Sequence, residues 1–232
     1  MEIVDVRFQA PREAGLEMSD FYLDRLDFDT AENIEGDLVA VQVGSAVARF
    51  SQATTSEAPF YHFALLVPGD RFEAAYRWLK ARVELLPEPD TGDTVFNFHA
   101  WRALACYFLD PAGNIVELIA HRGISETSTE GPFSAREVVD FSEVGLVVPD
   151  KEHSATVLER ELSLHVWDGD ISDPGRLVFV GERARTLILS PPLRGWLPTG
   201  RPAEAHPVEL TLRGDRKASV TLPGTDHRLR TV

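Results

Sequence analysis

The chain has 232 residues, 44% of them hydrophobic, a size and composition that fit one large globular domain or two modest ones. Its net charge of −14 argues against nucleic acid and anionic membrane surfaces as partners, because both bind through clustered lysine and arginine. The single cysteine, Cys106, excludes an internal disulfide, and with no signal peptide and no apolar run of about 20 residues it predicts a cytoplasmic protein.

A weak repeat begins at Asp5 with the sequence DVRFQAPREAGLEMSDFYLDRL. It consists of a polar residue, an apolar strand, a proline and an amphipathic helix, and proline is typical of the change from strand to helix. Three β-like runs follow, FDTAEN, DLVAVQV and AVARFSQ. The first unit is therefore predicted to be a β-α-β-β-β module.

The same order recurs twice, from His62 and from Glu143. In the second unit the apolar positions of the helix have the spacing of a half-buried helix, at Phe72, Ala75, Tyr76 and Leu79. Its β-like runs are VELLP, ALACYFL and IVELIAH, and those of the third unit are LHVWDG, RLVFVG and RTLILSP. A fourth, degenerate copy begins at His206 without a clear helix. The recurrence of the same order of elements along the chain indicates that one structural module is repeated.

A polar segment rich in glycine and proline, RGISETSTEGPFSARE, follows the second unit. It predicts a linker over residues 122–137 between a first domain at 1–121 and a second at 138–232. The fold class is therefore α+β, with paired β-α-β-β-β modules, two in each domain, and a degenerate last module.

The stretch CYFLDPAGNIVELIAH, which runs from Cys106 to His121, predicts a β-hairpin around an Asp-Pro-Ala-Gly-Asn turn. Cys106 is expected to be a buried structural thiol. Alternation along the second strand puts Glu117 on one face between Ile115 and Ile119. A carboxylate at such a position is costly unless it is paired, hydrogen-bonded or bound to a metal, and His121 at the strand end is expected to be exposed.

The segments YHFALLVP and YFLDPAGNIVELI together resemble the vicinal oxygen chelate superfamily, which includes glyoxalase I, bleomycin resistance proteins and extradiol dioxygenases. The resemblance implies paired modules whose curved sheets form an open cleft. Metal-dependent members hold one divalent ion there through histidine and glutamate of the first and last strands. Carried over by motif, the metal ligands are His62 and Glu117, with Asp5 in the third position and Glu117 also the catalytic residue.

Other positions depart from the superfamily pattern. Arg49 stands where the last strand of the first module usually has glutamate, which suits an anionic substrate better than a cation. Glu143 and His206 occupy the first-strand positions of the second domain, but the last strand of the third module has no carboxylate. The metal, an unidentified Fe, Mn, Ni or Zn ion, is therefore expected in the first domain. Without metal, His62 is an ordinary strand histidine and Glu117 pairs with Arg49 or His62.

The segment FNFHAWRAL places aromatic and histidine side chains in a loop before a strand, where binding residues are common. Substrate contacts are therefore predicted at Arg49, Phe98, His99, Trp101 and Tyr107. Three functions stay open. One is a metal-dependent lyase, isomerase or dioxygenase-type enzyme that acts on a small molecule, and another is a metal-free sequestering protein of the bleomycin-resistance type. The third is a scaffold in which the second domain serves oligomer contact, and a homodimer is the expected assembly.

Overall fold

A computed structural model describes residues 1–32, 35–54 and 58–232 of the chain. In the first module, Pro11 ends the first strand and leads into a short helix, as the repeat predicted. The elements are β1 (Glu2–Ala10), α1 (Gly15–Ser19) with a π-helical continuation (Asp20–Arg25), β2 (Asp37–Val43) and β3 (Ala46–Gln52). The predicted strand FDTAEN is reduced to one bridge between Thr30 and Val41, and its Asn33 lies outside the described residues.

The second module has the predicted order with one change. Its elements are β4 (His62–Val67), α2 (Phe72–Lys80), β5 (Phe96–Phe98), β6 (Ala103–Leu109) and β7 (Ile115–His121). The run VELLP forms only one bridge, from Leu86 to Tyr107. The segment predicted as a loop instead contains β5 and a single 3-10 turn, so Phe98 closes a short strand.

The third module is complete and the fourth lacks its helix, as predicted. The third contains β8 (Asp140–Val147), α3 (Lys151–Leu162), β9 (Val166–Gly169), β10 (Val178–Glu182) and β11 (Arg185–Ser190). A small hairpin of β12 (Gly195–Trp196) and β13 (Arg201–Pro202) follows. The fourth module consists of β14 (Glu209–Arg213), β15 (Ala218–Thr221) and β16 (Arg228–Thr231).

The modules pair into two large sheets. The second and third form an eight-stranded sheet in the order β5-β6-β7-β4-β8-β11-β10-β9, and the first and fourth form a six-stranded sheet in the order β2-β3-β1-β14-β16-β15. In both sheets the first strands of the two modules are antiparallel neighbours at the centre. The α+β fold of repeated modules is thus confirmed.

Strand pairing crosses the predicted domain boundary in both sheets, because β1 pairs with β14 and β4 with β8. The division at residues 122–137 stays a prediction. That segment is tied to the preceding module by the buried side chain of Arg71. Its guanidinium donates to the carbonyls of Thr129 and Gly131 and pairs with Glu137 at 2.8 Å.

The main core lies between the two sheets, where Phe8 of β1 stacks on Phe63 of β4 with ring centroids 5.0 Å apart. Cys106 is buried in this core, as predicted. Since strand side chains alternate, the two neighbours of Phe63 in β4, His62 and Ala64, point to the opposite face of the eight-stranded sheet. This face points away from the six-stranded sheet and carries a second apolar cluster, and we call it the open face. Within the described residues, no helix is long and apolar enough to cross a bilayer.

Candidate metal and ligand site

Three titratable side chains converge on the open face. His62 begins β4, Glu117 lies in the middle of β7, and Glu143 lies in β8. The Nε2 atom of His62 is 3.6 Å from Oε2 of Glu117 and 4.0 Å from Oε2 of Glu143. One potential ligand atom from each residue lies within 4.8 Å of the others, so the three side chains form a group that could hold one metal ion.

The strand register explains this convergence. Ala64 pairs with Glu117 on one side and with Glu143 on the other, so the two carboxylates flank it in neighbouring strands. The side chain of Ala64 is only a methyl group, which leaves room for both glutamates to lean together. His62 precedes Ala64 by two residues and therefore shares its face.

His62 is buried and held in one orientation. Its Nδ1 lies 3.0 Å from the carbonyl oxygen of Ile115, which can only accept, so Nδ1 carries the proton and donates it. Burial lowers the pKa of His62 to about 4, although the Ile115 carbonyl acts in the opposite direction. The ring is therefore neutral at pH 7, and the lone pair of Nε2 faces the two carboxylates, the state in which histidine ligates metal.

The two glutamates are buried together, with 2% and 4% of Glu117 and Glu143 exposed. Burial raises the pKa of Glu117 well above its usual range, the charge of Glu143 raises it further, and a contact with the Tyr107 hydroxyl partly offsets the rise. Burial also raises the pKa of Glu143. The Oε1 atom of Glu117 has no hydrogen-bond partner among the residues that the structure describes. Over residues 1–32, 35–54 and 58–232, no lysine or arginine forms an ion pair with either carboxylate.

The three residues line a cavity of about 390 Å³. This volume lies within the range of small-molecule sites. Trp101 and Phe179 meet edge to face with centroids 4.6 Å apart and form part of its wall. The aromatic residues of the lining are Phe98, Trp101, Tyr107, Phe179 and Trp196.

The β12–β13 hairpin closes one side of the cavity. The ring of Trp196 lies 4.9 Å from that of His62 and packs against Gly145, where an added Cβ would come within 2.9 Å of the indole. Arg201 fixes the hairpin to the second module, since its guanidinium lies 3.4 Å from the ring centroid of Phe60. The same guanidinium donates to the carbonyl of Gly113 in the Asp-Pro-Ala-Gly-Asn turn.

The structure brings some of the predicted site residues together. Phe98, Trp101 and Tyr107 line the same cavity as His62 and Glu117. His99, from the same segment, lies instead at a groove beside the start of α2, with Asp70 and Arg102. The roles of these residues stay predictions, but His99 does not line the cavity.

Two predicted residues lie on the other sheet. Asp5 is in β1 and Arg49 in β3, and the Arg49 Nε is 2.6 Å from the Asp5 carboxylate. Asp5 is therefore not the third member of the group around His62, and Arg49 pairs with Asp5 and not with Glu117. The expectation that His121 is exposed was wrong, because it is 1% exposed and its ring lies against Trp101 with centroids 6.3 Å apart.

Sequence reasoning missed Glu143 as a member of this group. The signal was present, since Glu143 begins the third module as His62 begins the second, but the predicted pairing of modules placed it in a different cleft. The cavity consequently includes residues from both sides of the segment 122–137. Arg194 and Trp196 were also missed, because the segment around the short β12–β13 hairpin has no periodic pattern.

The register identifies an equivalent set of positions in the six-stranded sheet. In the eight-stranded sheet, Glu117 pairs with Ala64, which follows His62 by two residues. In the six-stranded sheet, Arg49 pairs with Arg7, which follows Asp5 by two residues. By the same rule, Glu209 corresponds to Glu143. The fourth positions are Ile188 in β11 and Arg230 in β16, opposite Gly145 and Thr211.

The two sets differ in charge. The eight-stranded sheet carries His62, Glu117, Glu143 and Ile188, whereas the six-stranded sheet carries Asp5, Arg49, Glu209 and Arg230. The second set has two arginines for its two carboxylates and neutralises itself. Only the first set has carboxylate charge that a cation would balance.

No protein-family model matches the sequence, and no curated protein matches it significantly. Among solved structures, a protein provisionally identified as a dioxygenase from Bacillus subtilis subsp. subtilis str. 168 is 14% identical with a TM-score of 0.59, and the match covers 100% of this chain and 84% of that chain. Glyoxalase I from Zea mays is 14% identical with a TM-score of 0.56, and the match covers 99% and 92%. The chain thus has the fold of the vicinal oxygen chelate superfamily, as its motifs predicted.

Proposed function

We propose that the protein is a divalent-metal-dependent enzyme that acts on a small molecule in the cavity beside His62, Glu117 and Glu143. The observation that carries this proposal is the burial of two carboxylates beside one neutral histidine, without a basic side chain to pair with them in the described part of the chain. Two buried carboxylates cost several kcal/mol unless their charge is compensated. A divalent ion would supply that compensation.

The donor set suits such an ion. One imidazole nitrogen and two carboxylate oxygens are ligands for Fe, Mn, Ni or Zn. The unpartnered Oε1 of Glu117 gives this residue a free acceptor inside the cavity. The Nδ1 bond from His62 to Ile115 is the kind of outer contact that keeps a ligating histidine in one tautomer.

Ile188 gives the site an open side. It occupies the fourth position of the register and lines the cavity, but its side chain has no ligand atom. Three protein ligands with an open position are typical of catalytic metal sites, whereas structural sites are closed by four. When bound, a divalent ion supplies Lewis acidity toward a substrate oxygen.

The surrounding residues have separate roles in this proposal. Trp196 and the other aromatic residues exclude water from the open face. Glu117 is the proposed catalytic residue, because its carboxylate lines the cavity that would hold the substrate. The reaction class is that of a lyase, isomerase or dioxygenase. A cytoplasmic location and a homodimer remain predictions.

A second candidate is a metal-free binding protein of the sequestering type. The aromatic wall supports it, because this wall can hold a planar ligand without any ion. The two glutamates would then share a proton, as close buried carboxylates do. The two candidates therefore differ in what neutralises Glu117 and Glu143.

Elemental analysis of untagged protein purified without chelators tests the proposal. We expect near-stoichiometric Fe, Mn, Ni or Zn in the wild type and a loss of most of it in Glu117→Gln, which keeps the size of the side chain and removes its charge. Metal in neither protein, with none taken up on titration, would contradict the proposal and favour the metal-free candidate. Asp5→Asn is the control, because Asp5 lies on the other sheet and its loss should leave the metal content unchanged.

A further inference from the structure

Arg194 lines the cavity from the loop that leads into the β12–β13 hairpin. Its guanidinium is partly buried, and its only hydrogen bond within the described residues is from Nη1 to the carbonyl of the adjacent Gly195, at 2.9 Å. No carboxylate of that part of the chain lies within ion-pair distance of it. Burial lowers the pKa of Arg194, as expected for a cation without a counter-ion.

The other two charged side chains of the cavity, apart from the group around His62, are Asp168 and Arg176, and both have polar partners, a neutral one in the case of Asp168. Asp168 accepts a hydrogen bond from the indole nitrogen of Trp101. Arg176 lies 3.6 Å from the carboxylate of Asp173. A divalent ion bound to Glu117 and Glu143 would balance their two negative charges. Arg194 would then be the cation of the cavity that a ligand can neutralise.

The backbone of the hairpin fixes the position of Arg194. The neighbouring Leu193 N–H donates to the carbonyl of Ala203, and the Ala203 N–H donates to the carbonyl of Arg194, both at 2.8 Å. Trp196, two residues further, is buried against His62. The guanidinium is therefore carried by an anchored turn beside the aromatic wall, an arrangement that can recognise an anion with little loss of entropy.

The wall itself indicates the shape of the ligand. Trp101 lies edge to face with Phe179 and at 5.0 Å from Trp167, so its position is set by neighbouring rings. Rigid aromatic faces favour planar, apolar ligands. The cavity of about 390 Å³ has space for one or two fused rings with a substituent.

We infer that the cavity takes a planar, largely aromatic small molecule with one anionic group, and that Arg194 binds this group. The inference rests on the proposed function, since the ion is what leaves Arg194 as the uncompensated charge. Arg194 is thus a specificity-determining residue. Its guanidinium would hold a carboxylate or a phosphate by charge-assisted hydrogen bonds.

Binding of matched naphthalene probes to the purified protein, followed by tryptophan fluorescence, tests this inference. The probes are 2-naphthoate, 2-naphthyl phosphate and the neutral 2-naphthamide. Trp101 and Trp196 line the cavity and report occupancy directly. We expect at least one of the two anions to bind about tenfold more tightly than the amide, the difference that a charge-assisted pair supplies. Whichever anion is preferred identifies the group.

Variants show whether Arg194 is responsible. Arg194→Gln should reduce the affinity for the anion to that for the amide, with the amide affinity and the metal content unchanged. Arg176→Gln is the matched control, because Arg176 also lines the cavity but is paired with Asp173, and it should keep the preference. A wild type without preference, or an Arg194→Gln variant that retains it through direct contact of the anion with the metal, would overturn the inference.

Metal content measured on the same samples separates this inference from the proposed function. Stoichiometric metal without an anion preference would reject the inference alone. A preference that depends on Arg194 in a protein that binds no metal would reject the metal-dependent function, while the recognition of an anion by Arg194 would stand.

Discussion

Glu117 is a carboxylate between two isoleucines, and its neighbours explain why it is tolerated there. It leans over Ala64 toward Glu143, so two acidic groups share one buried space. The charge of such a pair must be neutralised by a proton or a cation. The nearby Nε2 of His62 has its lone pair free to bind and no proton to give, which favours the cation.

His121 gives the protein a specific dependence of stability on pH. Burial lowers its pKa to about 4, and the charge of Arg183 lowers it further. Between about pH 6.5 and pH 4 the unfolded chain therefore binds the proton and the folded chain does not, so acidification favours unfolding. The contribution of His121 to stability is present above pH 6.5 and is lost as the pH falls toward 4.

We therefore expect His121→Asn to flatten the pH dependence of stability. Between pH 7 and pH 5 the free energy of unfolding of the wild type should fall by about 2 kcal/mol more than that of the variant. Urea unfolding at both pH values measures this difference. His153→Asn, at an exposed position of α3, controls for the substitution itself. Equal pH dependence of wild type and His121→Asn would contradict the burial of a neutral ring.

At the scale of elements, the Asp-Pro-Ala-Gly-Asn turn connects three parts of the chain. Asp110 accepts hydrogen bonds from the backbone N–H groups of Ala112 and Asn114, and also from the hydroxyl of Tyr22 in the first module. The turn also receives Arg201 from the hairpin over the cavity. A motif read from sequence as a hairpin turn is thus also a contact between modules.

The turn between β2 and β3 packs tightly against the segment that precedes β8. Gly44 has φ +56°, and an added Cβ would lie 1.9 Å from the carbonyl oxygen of Val139. We expect Gly44→Ala to destabilise the protein by about 3 kcal/mol or more, because backbone on both sides must move. Denaturant unfolding measures the loss.

Gly92→Ala is the matched control for this substitution. Gly92 also has a positive φ, +77°, but apart from its chain neighbours no atom of the described residues lies within 4 Å of its added Cβ. It should therefore cost only the left-handed strain of about 1 kcal/mol. Equal losses at the two positions would show that the turn of Gly44 is not packed against Val139.

At the scale of the whole molecule, four modules build two sheets with equivalent positions, and the side chains at these positions differ in their capacity to bind a cation. In the eight-stranded sheet the set around His62 has two carboxylates that a cation can balance. In the six-stranded sheet, Arg49 pairs with Asp5 and supplies that balance from within the chain. Duplication has therefore left one candidate metal site in the part of the chain that the structure describes.

The modules and half of the candidate site could be predicted from the sequence. Periodicity and proline placement predicted most strands and the helices, and the resemblance of two motifs to the vicinal oxygen chelate superfamily pointed to His62 and Glu117 in one cleft. The sequence did not show which modules pair in one sheet, because Asp5, His62 and Glu143 all begin similar apolar strands. Pairing depends on side-chain packing between sheets, such as Phe8 on Phe63, which no local pattern encodes.

The most direct test of the central claim is a calorimetric titration of the chelator-treated protein with Zn²⁺, repeated with Glu143→Gln and Glu209→Gln. The two glutamates occupy equivalent register positions in the two sheets, but Glu143 is buried beside His62, whereas Glu209 is exposed and pairs with Arg228. We expect one ion per chain, a loss of about tenfold or more in affinity for Glu143→Gln, and wild-type binding for Glu209→Gln. No binding to the wild type, or equal effects of the two variants, would contradict the central claim.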